Sequence, residues 1–206
     1  MLIERNISGC KLRVECAEGR SRMATSVLQV FERLAASGKP LRSGMQVRFG
    51  TSLLRLSEES GDLRVVEPDF EKWPALHWQP TIDITLDISA AQTTLLRQLS
   101  VDAEDAWFDQ YLIAVHGALQ EREIFLRRRP SDMPEDSGWL LGTSADPQGL
   151  TRSGSLERMS IAQVIARRFA LVQVLVLPRE FVVTFSGDSL QQVYDAGGRV
   201  LRGPKP

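Results

Sequence analysis

Histidine, cysteine and lysine are all scarce in this chain, and it has no long apolar run. The two histidines, His77 and His116, are too few for an imidazole-based metal centre unless the fold gathers carboxylates around both. Their surroundings give no support for that, since His77 stands among proline and tryptophan and His116 precedes Gly117 at a strand end. The two cysteines, Cys10 and Cys16, would lie roughly 20 Å apart on an extended segment, beyond disulfide reach. Reduced thiols and a cytoplasmic location are therefore expected. Met1 to Gly9 is too short and too charged for a signal peptide, and nowhere do about eighteen apolar residues run together, so no membrane segment is expected. The 25 basic and 26 acidic residues cancel, leaving no overall field to attract nucleic acid or an anionic membrane. No phosphate-binding glycine loop is present, and the serines near Gly154 do not form a G-x-S-x-G nucleophile turn. No catalytic residue, no metal and no cofactor are expected. Lysine occurs only at Lys11, Lys39, Lys72 and Lys205, so the positive charge is carried by arginine, a bias that a GC-rich genome explains first, though it also suits fork-shaped hydrogen bonding at interfaces.

What is present is the patterning of an ordinary globular domain, with 43% hydrophobic and 25% charged residues over 206 positions. Leu12 to Cys16 alternates like a strand, and Met23, Val27, Val30, Phe31 and Leu34 carry helical spacing over Ser21 to Ser37, closed by Gly38 and Pro40. Met45 to Phe49, Ser52 to Ser57 and Asp62 to Val66 read as an antiparallel meander. Glu67 to Pro80, with three prolines, reads as a structured loop. The alternation of Ile82, Ile84, Leu86 and Ile88 predicts a strand with one buried face, and Ala90 to Leu99 predicts a helix. Val101 to Gln110 fits either an acidic helix or a turn. Tyr111 to Val115, Glu123 to Arg128, Gly138 to Leu141, Phe181 to Phe185 and Gln191 to Tyr194 read as strands, and Ser155 to Arg168 as a helix. The fold class expected is α+β, a largely antiparallel sheet with packed helices. Residues 1–39 form an N-terminal strand and helix segment, and residues 40–206 the main domain, divisible into lobes at 40–130 and 131–206.

Few groups carry chemistry. Asp102, Glu104, Asp105 and Asp109 are the strongest catalytic or metal candidate, because on a helix Asp102, Asp105 and Asp109 would share one face. A solvated acidic face that complements the helix dipole is the stronger explanation and needs no ligand. Arg127, Arg128 and Arg129 form the densest basic run. Of the four tryptophans, Trp107 and Trp139 sit in periodic contexts that suit a core. Trp73 and Trp78 lie in the proline-rich loop with Asp69 and Glu71, where they either anchor an interface or cap the open end of a sheet. Asp69, Glu71, Trp73 and Trp78 are the partner-binding candidates.

One stretch is more specific. Asp136-Ser137-Gly138-Trp139, then Leu140-Leu141-Gly142, the helix to Arg168, Leu177-Pro178 and the strand Phe181 to Phe185 resemble a bacterial immunity-protein domain, number thirty-three among the polymorphic-toxin immunity families. The resemblance spans Asp136 to Leu201. It continues more weakly over Gly44 to Arg129, through Val66-Glu67-Pro68-Asp69-Phe70 and Gly117-Ala118-Leu119 ahead of Ile124. It implies a cytoplasmic protein that binds and neutralises a cognate toxin delivered by a secretion system, with no catalytic residue to carry over. Within the motif, Gly138 suits a tight approach at a strand start and Trp139 the core beneath it.

Two further readings stand beside a stoichiometric inhibitor. One is an enzyme that reverses a toxin's modification through the acidic group near Asp105. The other is an adaptor or chaperone for a secreted effector.

Overall fold

The computed structural model describes residues 1–72, 77–143 and 156–203. The chain is α+β with two sheets, each mixed and mostly antiparallel. It divides into two compact units, Met1–Ala90 and Ala91–Pro206, so residues 1–39 belong to one unit with residues 40–90. Among the described residues no helix is long and apolar enough to cross a membrane.

The first unit begins with the hairpin β1 (Leu2–Ile7) and β2 (Cys10–Glu15). Its two-residue turn, Ser8-Gly9, has both φ angles positive (50° and 83°), which suits the twist of the flanking strands. Helix α1 (Ser21–Ala36) follows, burying Ala24, Val27, Leu28 and Phe31 along one stripe, as the spacing predicts. Then come β3 (Gln46–Phe49), β4 (Ser52–Glu59), β5 (Asp62–Pro68) and the short β6 (Trp78–Gln79). The strand order is β1-β2-β5-β4-β3, with β6 on β5. β2 and β5 run parallel, Leu12 beside Leu63 and Val14 beside Val65. Leu12, Val14, Leu54, Leu56, Leu63 and Val65 join Val27, Leu28 and Phe31 in one buried cluster. Because strand residues alternate between faces, Arg13, Arg55 and Arg64 point to the opposite side.

Ile82 to Ile88 is not a strand. From Asp83 onward it forms the first turns of α2 (Asp83–Leu99), in which Thr85, Leu86, Ile88, Gln92, Leu95 and Leu99 are buried, with Ile82 buried just ahead of the helix. The helix start is held from elsewhere in the chain, by the Glu67 carboxylate of β5, which accepts the Ile84 and Thr85 N–H groups at 3.0 and 2.6 Å. Two orphan donors of the first turn are thus satisfied by a residue seventeen and eighteen positions upstream of them, and this outweighs the local β preference of isoleucine and threonine.

In the second unit the order is β10-β7-β9-β8-β11-β12-β13. The strands are β7 (Tyr111–Val115), β8 (Glu123–Arg128), β9 (Asp136–Thr143), β10 (Leu156–Ser160), β11 (Val182–Ser186), β12 (Ser189–Tyr194) and β13 (Val200–Arg202). β7 and β9 are parallel and the other neighbours antiparallel. The helix expected over Ser155 to Arg168 is shorter: Ser155 lies outside the described residues, β10 precedes it, and α3 spans Ile161–Arg167. A capping box sets its start, the Ser160 hydroxyl accepting the Gln163 N–H at 3.1 Å and the Gln163 side chain accepting the Ser160 N–H at 2.8 Å. Val101 to Gln110 holds no helix, only an irregular stretch that ends in a turn. Trp139, wholly buried, fills the core and donates its indole N–H to the Leu175 carbonyl at 3.2 Å.

Candidate functional site

The loop between β5 and β6 is closed at its base by strand pairing of Glu67 with Gln79 and Pro68 with Trp78. The Asp69 N–H donates to the His77 carbonyl at 2.9 Å. The Asp69 carboxylate accepts the Glu71 N–H at 3.2 Å and pairs with Lys72 at 2.7 Å, organising a 3-10 turn at Phe70–Lys72 with Phe70 buried beneath. The Lys72 ammonium holds the Asp69 carboxyl below its ordinary value, and Asp69 raises Lys72 in return. Glu71 is exposed. Trp73 lies outside the described residues. Trp78 is half-buried.

Glu67, at the loop's root, has no exposed surface. Besides the α2 amides it accepts the Gln79 side-chain N–H at 2.8 Å. Burial pushes its carboxyl above the ordinary value of 4.5, against the lowering effect of those donors.

The sheet face beside this loop carries arginines. Arg13 bridges Glu4 (2.9 Å) and Asp62 (2.5 Å), and Arg64 bridges Glu15 (2.5 Å) and Glu59 (2.8 Å). Arg55 differs. Its guanidinium lies over the Trp78 ring, 5.4 Å from the centroid, and makes no ion pair among the described residues; its buried Nε has no hydrogen-bond partner, a feature it shares with Arg64. Sequence reasoning singled out Trp78 but not Arg55, because strands β4 and β6 are distant in the chain and only the fold stacks them.

In the second unit the structure gathers three groups that the sequence marks separately. Arg128 is almost fully buried over the Trp139 ring, 5.8 Å from its centroid. It donates to the Ser137, Asp105 and Leu177 carbonyls at 3.1, 3.1 and 2.6 Å, and to that of Glu104. Burial draws its guanidinium below the ordinary value, while the Glu104 charge opposes this. Arg129 pairs with the buried Asp136 carboxylate, which also accepts from Ser131 (3.0 Å) and the Gly138 N–H (2.8 Å). Arg127 points outward, 3.8 Å from Glu180.

Around these groups lies a cleft of about 550 Å³, rimmed by Glu104, Asp105, Trp107, Asp132, Met133 and Arg179. Gln110 ties its lips, accepting the Trp107 N–H and donating to the Pro134 carbonyl, both at 2.8 Å. Glu104 pairs with Arg179 at 2.7 Å. The shared helical face expected for Asp102, Asp105 and Asp109 does not exist, since that segment is not a helix. Among the described residues no group of three or more His, Cys, Asp or Glu could hold a metal ion. His77 is exposed, and His116, also exposed, stands 3.6 Å from Glu157.

The profile of the Imm33-like domain family, immunity domain thirty-three-like, matches residues 91–196, more than half of the chain. The chain belongs to this family. The matched region runs from the middle of α2 through β12 and includes the Ser137-Gly138-Trp139 turn, the Arg128 network and the cleft. The Asp69–Trp78 loop lies outside it. No curated protein and no solved structure matches the chain.

Proposed function

We propose that this protein is an immunity protein that binds a cognate secreted bacterial toxin one to one and neutralises it without catalysis, within the cytoplasm. Membership of the Imm33-like domain family carries the reading. Support comes from how the polar groups of the matched region are spent. Arg128 and Arg168, the two buried arginines among the described residues, hold main-chain carbonyls, and Asp136 holds Arg129, Ser131 and the Gly138 N–H. These are tasks of framework rather than of chemistry. The unpaired thiols of Cys10 and Cys16 suit a reducing compartment.

The toxin-binding surface in this proposal is the loop bearing Asp69, Glu71, Trp73 and Trp78. Its base is clamped by β5–β6 pairing and its Asp69 by Lys72, so less entropy is lost on binding than an unstructured loop would lose. Half-buried tryptophan beside exposed acid suits a desolvated anchor ringed by charge.

The test is calorimetry with the toxin encoded beside the gene, without added metal or nucleotide. A one-to-one complex is expected, with Trp73→Ala and Trp78→Ala each weakening it at least about tenfold while the thermal midpoint hardly moves. Binding that requires metal overturns the reading, as does protection at a sub-stoichiometric ratio that is lost in a folded Asp105→Asn variant. Undiminished affinity in both tryptophan variants removes the loop from the interface.

A further inference from the structure

We infer that Arg55, stacked on Trp78, is a docking site for a carboxylate, supplied by an acidic side chain of the bound toxin; the identity of the partner rests on the function proposed above. Arg55 stands on the open face of the first sheet, away from the buried cluster that holds Leu54 and Leu56. Each other arginine on β2 and β5 of that face has two acidic neighbours, Glu4 and Asp62 for Arg13, Glu15 and Glu59 for Arg64. Arg55 has none within the sheet. Its cross-strand partners are Gln46 on β3 and Val66 on β5, its same-face neighbours on β4 are Leu53 and Ser57, and its diagonal neighbours are Arg48 and Arg64. Among the described residues its guanidinium makes no ion pair and no hydrogen bond; Arg64 shares a buried Nε without an acceptor but places its terminal nitrogens on Glu15 and Glu59, whereas those of Arg55 have no such partner.

That is an unusual expenditure. A guanidinium carries five donors in a rigid plane, and a buried donor left unmade costs the desolvation of that group. The indole of Trp78 covers one face of the plane at 5.4 Å to the centroid, fixing its orientation and leaving hydrogen-bonding to its edge. The edge fork matches a carboxylate bidentately, and no acidic side chain of the described residues already occupies it. Trp78 is thus the platform that holds the arginine in place, and the arginine is the contact that selects an acidic residue.

Two measurements test this. In the first, the Nε–Hε resonance of Arg55, assigned by its loss in Arg55→Lys, is followed by NMR during titration with an amidated hexaglutamate peptide, with inorganic phosphate and with hexalysine at matched ionic strength. A saturable shift with hexaglutamate alone, abolished in Trp78→Leu, is expected. No shift, or an equal shift with phosphate, overturns the assignment. In the second, toxin affinity is compared between the parent and Arg55→Lys, which keeps the charge and loses the fork. At least a tenfold weakening with an unchanged thermal midpoint is expected, and equal affinity overturns the site. If the parent itself binds no toxin, the functional proposal falls and the peptide titration alone decides whether Arg55 is a carboxylate site.

Discussion

The two units each stack an arginine on a tryptophan, and the two stacks are built for opposite ends. In the second unit Arg128 lies over Trp139 with its donors turned onto the carbonyls of Ser137, Glu104, Asp105 and Leu177. In the first unit Arg55 lies over Trp78 with no acceptor among the described residues. The first arrangement closes on itself: a planar cation serves as the hub that gathers the 104–105 stretch, the β9 start and the segment before Pro178. The second arrangement is left open. A cation–π pair therefore says little about role until the donors of the cation are followed to their acceptors.

The comparison breaks most readily at the hub. Arg128→Ala strips four main-chain carbonyls of their donor in a buried setting and uncovers the Trp139 ring, so a loss of about 3–5 kcal/mol is expected by urea denaturation. A loss under about 1 kcal/mol would mean that water replaces the guanidinium freely and that the hub holds nothing together.

Next in size is the turn that feeds the hub. Gly138 has φ +78°, and a Cβ there would collide with the Arg129 carbonyl, which itself accepts no alternative position because the Arg129 N–H is bonded to the Gly138 carbonyl at 2.9 Å. Gly138→Ala combines left-handed strain with a backbone clash and is expected to cost about 2–4 kcal/mol, read from the denaturant midpoint. An unchanged midpoint would show that β8 and β9 separate easily at this end.

Much of this was legible in the sequence, and the remainder was hidden for a common reason. Helix α1 shows its stripe locally, as does the meander that turns at Ser60-Gly61, whereas strand β1 and its Ser8-Gly9 turn are absent from the expected elements although that turn likewise places a serine and a glycine at positive φ. The helix expected over Ser155 to Arg168 takes in β10, because the Ser160–Gln163 capping box that sets the true start of α3 does not enter that expectation. The parallel pairings β2–β5 and β7–β9 have no local signature. Ile82 to Ile88 was misread because its helix cap is Glu67, and the Arg55–Trp78 stack went unseen because β6 reaches β4's arginine only through the fold. Acidic residues at 102, 105 and 109 suggested a shared face only on the premise of a helix, which the segment does not form.

Glu67 sharpens the contrast in a different way, because it is the one buried acid of the first unit that closes on main-chain donors as Arg128 does on acceptors. Glu67→Gln leaves a single acceptor oxygen for the Ile84 and Thr85 N–H groups and the Gln79 side chain, so a cost of about 1–3 kcal/mol is expected. The cost depends on pH. Burial raises the folded-state value above 4.5, so the folded protein holds the Glu67 proton more tightly than the unfolded chain does. The contribution of Glu67 is then fully present below about pH 4.5 and declines as pH rises through the folded value. The stability margin of the parent over Glu67→Gln, measured by denaturant midpoints across this range, should narrow with rising pH. A margin that widens would mean the ionised carboxylate is the favoured form in the fold.

The smallest effect is expected where the comparison is most direct, at Arg55. Arg55→Gln removes a charge that has no carboxylate partner and a buried Nε that has no acceptor, while it retains enough aliphatic stem to cover part of Trp78. Nothing is left behind unsatisfied, because nothing was satisfied by Arg55 in the free protein, so stability should fall by no more than about 0.5 kcal/mol, and relief of the buried unpaired Nε acts in the stabilising direction. The neighbouring Arg64→Gln is the control, since it breaks contacts to Glu15 and Glu59 on the same face and separates loss of a surface ion pair from loss of an arginine as such. If Arg55→Gln destabilises by 2 kcal/mol or more, the stack on Trp78 is a framework element like Arg128 on Trp139, and the open socket disappears along with the difference between the two units.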